Sequence, residues 1–150
     1  MTTTPPNPAD QCSNLALRKA ARYLGATYDK VLAPVGLRAT QFSILQQLRA
    51  HGEMTITSLA DVIAMDRTTM ASNLKPLARE GLVTVESSPT DRRARIAAIT
   101  PEGLSRMNEA LPLWKGVQAR FEEAFGAEAA ARLRSSLAAV LDTGFTPWAE

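Results

Sequence analysis

The sequence holds one cysteine and one histidine in 150 residues, its aromatic content is only 5%, and its formal net charge is +2. Each scarcity excludes something. Cys12 alone cannot build a disulfide framework or a thiolate metal cluster within one chain. His51 alone leaves no nucleophile–base pair and no zinc or iron ligand set, and the carboxylates lie scattered among basic neighbours rather than paired on one face. An enzyme, a metal site and a cofactor are all disfavoured. No stretch approaches the roughly 18 apolar residues that a membrane span requires, so no membrane partner is expected. The small positive surplus permits nucleic-acid binding without demanding it, and the placement of the charge has to decide.

What is present is a foldable globular composition, 45% hydrophobic and 21% charged, at about the size of one domain. Residues 1–10 carry three Thr and three Pro and no basic region leading into an apolar run. They read as a disordered tail and not a signal peptide, which predicts a soluble cytoplasmic protein with a single domain over 11–150. Leu17, Ala20, Ala21, Leu24, Tyr28 and Val31 then recur at helical spacing, with Arg18, Lys19, Arg22, Asp29 and Lys30 opposite. This long first helix stops near Ala33-Pro34. A second helix is expected over about 39–50, with Phe42, Leu45 and Leu48 inward, followed by a short extended link at Met54 and Thr55. Thr57 can cap a third helix over 58–64, and Asp66 a fourth that runs to about Glu80 before Gly81.

Residues 82–86 and 95–99 are β-compatible, and the polar, turn-rich segment between them makes one hairpin. Thr100-Pro101 opens a helix whose inward positions are Leu104, Met107, Leu111, Trp114, Phe121 and Phe125. Gly126 closes it, and a last helix from Ala127 puts Leu133, Leu137, Val140 and Leu141 on one side, with Pro147 ending any continuation. The predicted fold is mainly α: about six helices with a two- or three-stranded wing hairpin, arranged as a winged helix-turn-helix.

On a helical wheel the fourth helix sets Met70, Leu74 and Leu77 on one face and Thr68, Ser72, Lys75 and Arg79 on the other. Hydroxyls can bond base edges or phosphates, and cations neutralise phosphate. Any amphipathic surface helix shows such a pattern; the hairpin tip is more telling. Asp91, Arg92, Arg93 and Arg95 concentrate three guanidinium groups where side chains project clear of the body. Arginine entering a narrow minor groove gains from its negative potential. Asp91 is expected to brace an arginine through a salt bridge.

Gly36-Leu37-Arg38-Ala39-Thr40-Gln41-Phe42, Leu59-Ala60-Asp61, Met65-Asp66-Arg67-Thr68-Thr69, Leu77 to Val83, Asp91-Arg92-Arg93-Ala94-Arg95 and Ile99 to Gly103 resemble, in order and spacing, the MarR family of bacterial transcription regulators. The resemblance places a DNA-binding lobe at about 38–100 and dimerisation helices at about 11–34 and 101–145. It puts the recognition helix on Arg67, Thr68, Thr69, Ser72 and Asn73, to which the wheel adds Lys75 and Arg79, and the wing arginine of an Asp-x-Arg signature on Arg93. It implies a homodimeric repressor on a pseudo-palindromic double-stranded operator, released by a small phenolic or lipophilic effector; release by an oxidative signal rests on Cys12 instead. Where similar sequences show Thr then Arg after the Thr-Thr pair, this chain has Ala71 and Ser72, which removes a bidentate guanine contact and shifts weight to the wing. Pro76 removes a helical hydrogen bond and predicts a local kink.

The apolar stripe of the 102–125 helix is broader than one neighbour requires, so a second copy of the chain is expected against Leu17, Leu24, Trp114, Phe121, Leu133 and Leu137. Arg22 and Tyr28 are candidates for an effector crevice, though Tyr28 also reads as core. Cys12 reads either as a redox switch, since a helix N-terminus favours a thiolate, or as a small interface residue. The competing function is a winged helix that has become a protein–protein interaction module.

Overall fold

The computed structural model describes residues 7–145. The chain divides into two compact units, Met1–Trp114 and Lys115–Glu150. The elements are α1 (Ser13–Leu32), α2 (Ala39–His51), β1 (Met54–Thr55), α3 (Ile56–Ile63), α4 (Arg67–Arg79), β2 (Val83–Ser87), β3 (Arg95–Ile99), α5 (Pro101–Phe125) and α6 (Ala127–Leu141). Six helices and a small sheet bear out the winged-helix expectation. Of the expected tail, residues 1–6 lie outside the described residues, as does Pro147; Pro8–Gln11 is not loose but forms a 3-10 turn capped by the Asn7 side chain.

In the first unit the apolar periodicity becomes the core. Phe42, Leu45 and Leu48 of α2, Leu59 of α3, and Met70, Leu74 and Leu77 of α4 are fully or almost fully buried, with Leu82, Ala97 and Met107 closing the cluster. Each of the Leu, Phe and Met side chains contributes roughly 1.5–3 kcal/mol by leaving water. Helix α2 starts where it does because Asp29 accepts the Ala39 N–H at 2.7 Å and Gln41 accepts the Arg38 N–H at 2.9 Å, satisfying donors that the first turn cannot.

The extended link at Met54–Thr55 is a true strand. The sheet is antiparallel in the order β1-β3-β2, with Met54 opposite Ala97, Val83 opposite Ile99 and Ser87 opposite Arg95. This pairing moves the start of α3. Thr55, not Thr57, is its N-cap, accepting the Ser58 N–H at 3.1 Å, so the helix begins as soon as the strand ends.

Helix α4 passes through Pro76 and ends at Arg79. At its far side the chain makes a tight joint with α5. Thr100 donates its hydroxyl to the Gly81 carbonyl at 2.6 Å and its N–H to the Leu82 carbonyl at 3.1 Å, while its oxygen accepts the Gly103 N–H at 3.0 Å. A Cβ on Gly103 would overlap the Leu82 carbonyl oxygen and lie 2.9 Å from Ile99 Cγ1, so only glycine allows this approach. The inward face of α5 is accordingly built on Gly103, Met107 and Ala110, and Leu104, expected inside, is 37% exposed.

In the second unit Val117 and Ala130 are buried, and Gly126, at φ 95°, separates α5 from α6. Phe121 and Phe125 stack with ring centroids 5.3 Å apart, yet Phe125 remains 50% exposed, against the expectation of an inward position. Glu122 accepts from both Gln118 and Arg134 at 3.1 Å. No helix among the described residues is long and apolar enough to cross a membrane.

Candidate nucleic-acid interface

Helix α4 is oriented by its own amphipathicity. Met70, Leu74 and Leu77 are buried, so Arg67, Thr68, Ser72, Lys75 and Arg79 are left exposed, as the wheel predicts. Its N-terminus is set by Asp66, the predicted cap, whose Oδ1 accepts the Thr69 N–H at 2.8 Å and whose Oδ2 accepts the Thr69 hydroxyl at 2.5 Å. These bonds, that from the Thr69 hydroxyl foremost, hold the Asp66 carboxyl below its ordinary value of 3.8.

Two of the candidate readers are thereby engaged inside the protein. The Thr69 hydroxyl proton points at Asp66. Asn73 is half-buried and donates its amide to the Thr69 carbonyl at 2.9 Å, which removes one arm of the bidentate contact an asparagine makes to adenine. Thr68 and Ser72 remain as exposed neutral hydroxyls, flanked by the cations Arg67, Lys75 and Arg79.

The wing differs. Its tip is tied down by its own polar groups: Asp91 Oδ1 accepts the Arg93 N–H at 3.0 Å, the Ala94 N–H reaches the Asp91 carbonyl at 3.0 Å, and the Ser88 N–H reaches the Ala94 carbonyl at 2.8 Å. Asp91 braces the loop through a backbone N–H, not through the salt bridge expected from its charge, because the turn aims that N–H at the carboxylate. Arg92 and Arg93 are exposed, and among the described residues no carboxylate pairs with either guanidinium. Arg95 belongs to the strand where it leaves the tip: it bonds the Val85 carbonyl at 3.2 Å and, with Lys75 of α4, lines a cavity of about 460 Å³ that Ile56, Ala71, Leu74 and Val85 also line. Helix α4 and the hairpin therefore each contribute one cation to the lining of the same cavity.

The family model described as MarR family matches residues 37–94, which run from α2 through the wing tip. Over a longer stretch the chain is 37% identical to the M. tuberculosis transcriptional regulator MosR, solved in complex with DNA, covering 87% of this chain and 94% of that one with a TM-score of 0.79. This chain belongs to the MarR family. It is 26% identical to the transcriptional repressor CouR bound to a 23-mer DNA duplex, covering 93% of this chain and 99% of that one at a TM-score of 0.79. It is also 28% identical over 98 residues to the transcriptional regulator MhqR of Bacillus subtilis, covering 65% of this chain and 68% of the relative.

The remaining candidate residues are spread over the chain. Leu17 is 39% and Leu137 38% exposed, Leu24 and Leu133 are half-buried, and Trp114 packs on Phe42 with centroids 6.1 Å apart, a core contact that the interface expectation had not included. Arg22 is exposed and Tyr28 half-buried, and neither lines a described cavity. Cys12 is exposed at the N-cap of α1, its sulfur accepting the Leu15 N–H at 3.4 Å. No cluster of three or more His, Cys, Asp or Glu that could hold a metal gathers among the described residues.

Proposed function

We propose that the protein is a homodimeric transcriptional repressor that binds a pseudo-palindromic operator, with α4 in the major groove and the wing arginines on the flanking minor groove. The observation that carries this reading is that Lys75 of α4 and Arg95, the first residue of β3, line one cavity, while a tip braced by Asp91 presents Arg92 and Arg93 unpaired. A solvated turn gains nothing from such bracing; a DNA contact gains preorganisation. Thr68 and Ser72 supply base-edge contacts, and Arg67, Lys75 and Arg79 supply phosphate contacts.

Dimerisation accounts for the apolar surface. Of the 20 residues of α1 only Leu32 is buried, and in α6 only Ala130, while Leu15, Leu17, Leu137, Val140 and Leu141 stand exposed. A second copy covering them would set two reading helices about 34 Å, one turn of DNA, apart. Release by a small phenolic or lipophilic effector fits the apolar cavity beside α4, where an anionic or phenolic group would occupy Lys75 and Arg95 in competition with phosphate. The cytoplasmic location and the absence of catalysis belong to the same reading.

The test is binding to a duplex carrying the inverted repeat in the DNA flanking the protein's own gene, at 50 and 200 mM salt. Six or more phosphate contacts predict a loss of about 10³-fold in affinity across that range. Weak binding without salt dependence would favour a protein–protein module instead, and a monomer by light scattering at micromolar concentration would overturn the dimer.

A further inference from the structure

Ser88 is the one buried polar residue among the described residues, 8% exposed, and it lies at the base of the loop that joins β2 to β3. Polar side chains in surface loops are ordinarily solvated, and burying a hydroxyl without partners is costly. This hydroxyl has a full set. Its oxygen accepts the Thr90 N–H at 3.3 Å and the Asp91 N–H at 3.4 Å, and it lies 3.1 Å from the Thr90 hydroxyl. With both lone pairs taken by backbone N–H groups, its own proton is left for Thr90 Oγ1. The Ser88 backbone meanwhile donates to the Ala94 carbonyl, closing the loop from the other side.

The two halves of the tip are thus linked in series. Ser88 fixes the backbone of Thr90 and Asp91, and Asp91 in turn fixes the Arg93 N–H and, through its carbonyl, the Ala94 N–H. Asp91 can hold Arg93 in one place only if its own backbone is held. We propose that Ser88 is a positioning residue for DNA binding: through Asp91 it preorganises the wing so that Arg92 and Arg93 engage DNA without ordering a seven-residue loop at the moment of contact. The inference rests on the DNA-binding reading above and adds a residue that touches no nucleic acid.

The mechanism separates Ser88 from a residue that merely stabilises the fold. In Ser88→Ala the freed N–H groups lie in a surface loop where water can replace the lost acceptor, so the melting temperature should fall little, while the loop becomes mobile. The expected result on the flanking-repeat duplex is a loss of about tenfold in affinity, with the slope of log K against log salt shallower by about 1–2 as wing contacts disappear. Ser88→Thr, which keeps the hydroxyl, should restore most of the affinity. In a double-mutant cycle, Ser88→Ala added to Arg92→Ala/Arg93→Ala should cause no further loss, since the groups it positions are gone. Backbone ¹⁵N relaxation of the DNA-free protein should show Thr90 to Ala94 rigid in the wild type and mobile in Ser88→Ala. That measurement stands even if the DNA-binding reading fails. Wild-type affinity in Ser88→Ala, a fully additive cycle, or an unchanged relaxation profile would each overturn the proposal.

Discussion

Helix α4 and the wing are built by opposite uses of polar groups. In α4, the amide of Asn73 and the hydroxyl of Thr69 are turned back on the protein, so the groups left facing outward are the hydroxyls of Thr68 and Ser72 and the cations Arg67, Lys75 and Arg79. In the wing, the polar groups turned inward are backbone N–H groups, the Ser88 hydroxyl and one carboxylate, which leaves the Arg92 and Arg93 guanidinium groups outward. The helix keeps its rigidity at the expense of readers; the wing obtains rigidity from groups that would not have read DNA. Affinity should therefore concentrate in the wing, and the helix should contribute discrimination of modest size.

The largest disruption is expected where both regions share a foundation. Leu82 follows α4 and leads into β2, and its carbonyl lies against Gly103 at the start of α5. In Gly103→Ala the new methyl must displace backbone, not a side chain, and should cost about 3 kcal/mol. Chemical denaturation would measure it, and a stability within 1 kcal/mol of wild type would show that the joint yields and that the two regions are held independently. Next in size, Arg93→Ala should weaken operator binding on the order of tenfold or more and make the salt slope shallower by about 1. Ser72→Ala should cost about threefold or less and leave the slope unchanged, because a hydroxyl releases no counterion. Comparable losses in a gel-shift series would erase the distinction between helix and wing.

How far each region was legible in the sequence follows from the range of the forces that shape it. The buried face of α4 and its Asp66 cap were readable because both depend on residues three and four apart along one helix. The start of α3 was misplaced by two residues because β1 pairs with β3, some forty residues on, and that partner is invisible locally. The inward face of α5 was misread at Leu104 for a related reason: large apolar residues mark a buried stripe, whereas the closest approach to a neighbour requires small ones, here Gly103 and Ala110. In the wing the density of arginine is plain, but the charge of Asp91 points to a guanidinium partner, and a turn's N–H directions are not written in composition. Ser88 carries no signal in its residue type alone, since a serine in a polar loop looks like every other; only its spacing to Asp91 sets it apart. An Asp-x-Arg preceded three residues upstream by a serine or threonine is the pattern that would have found it.

The smallest expected effect tests the comparison from the opposite sign of charge. Asp66 places a carboxylate at the leading end of the reading helix, where it caps the Thr69 N–H and hydroxyl, and those bonds lower its pKa from 3.8. The folded state therefore binds this proton more weakly than the unfolded chain does. Its contribution to stability is complete above about 3.8 and is lost as pH falls through the lowered folded value. Asp66→Asn keeps an acceptor for the helix but removes both the titration and the negative charge. Between pH 5 and pH 3 the wild-type melting temperature should fall more steeply than that of Asp66→Asn, the two curves converging at the acid end. At neutral pH the variant should bind the operator at least as tightly as wild type, since a like charge facing phosphate has gone while Thr68 and Ser72 stay in place. If Asp66→Asn instead binds markedly more weakly with its fold intact, the carboxylate itself contacts a base, and the helix reads more of the operator than the hydroxyls of Thr68 and Ser72 imply.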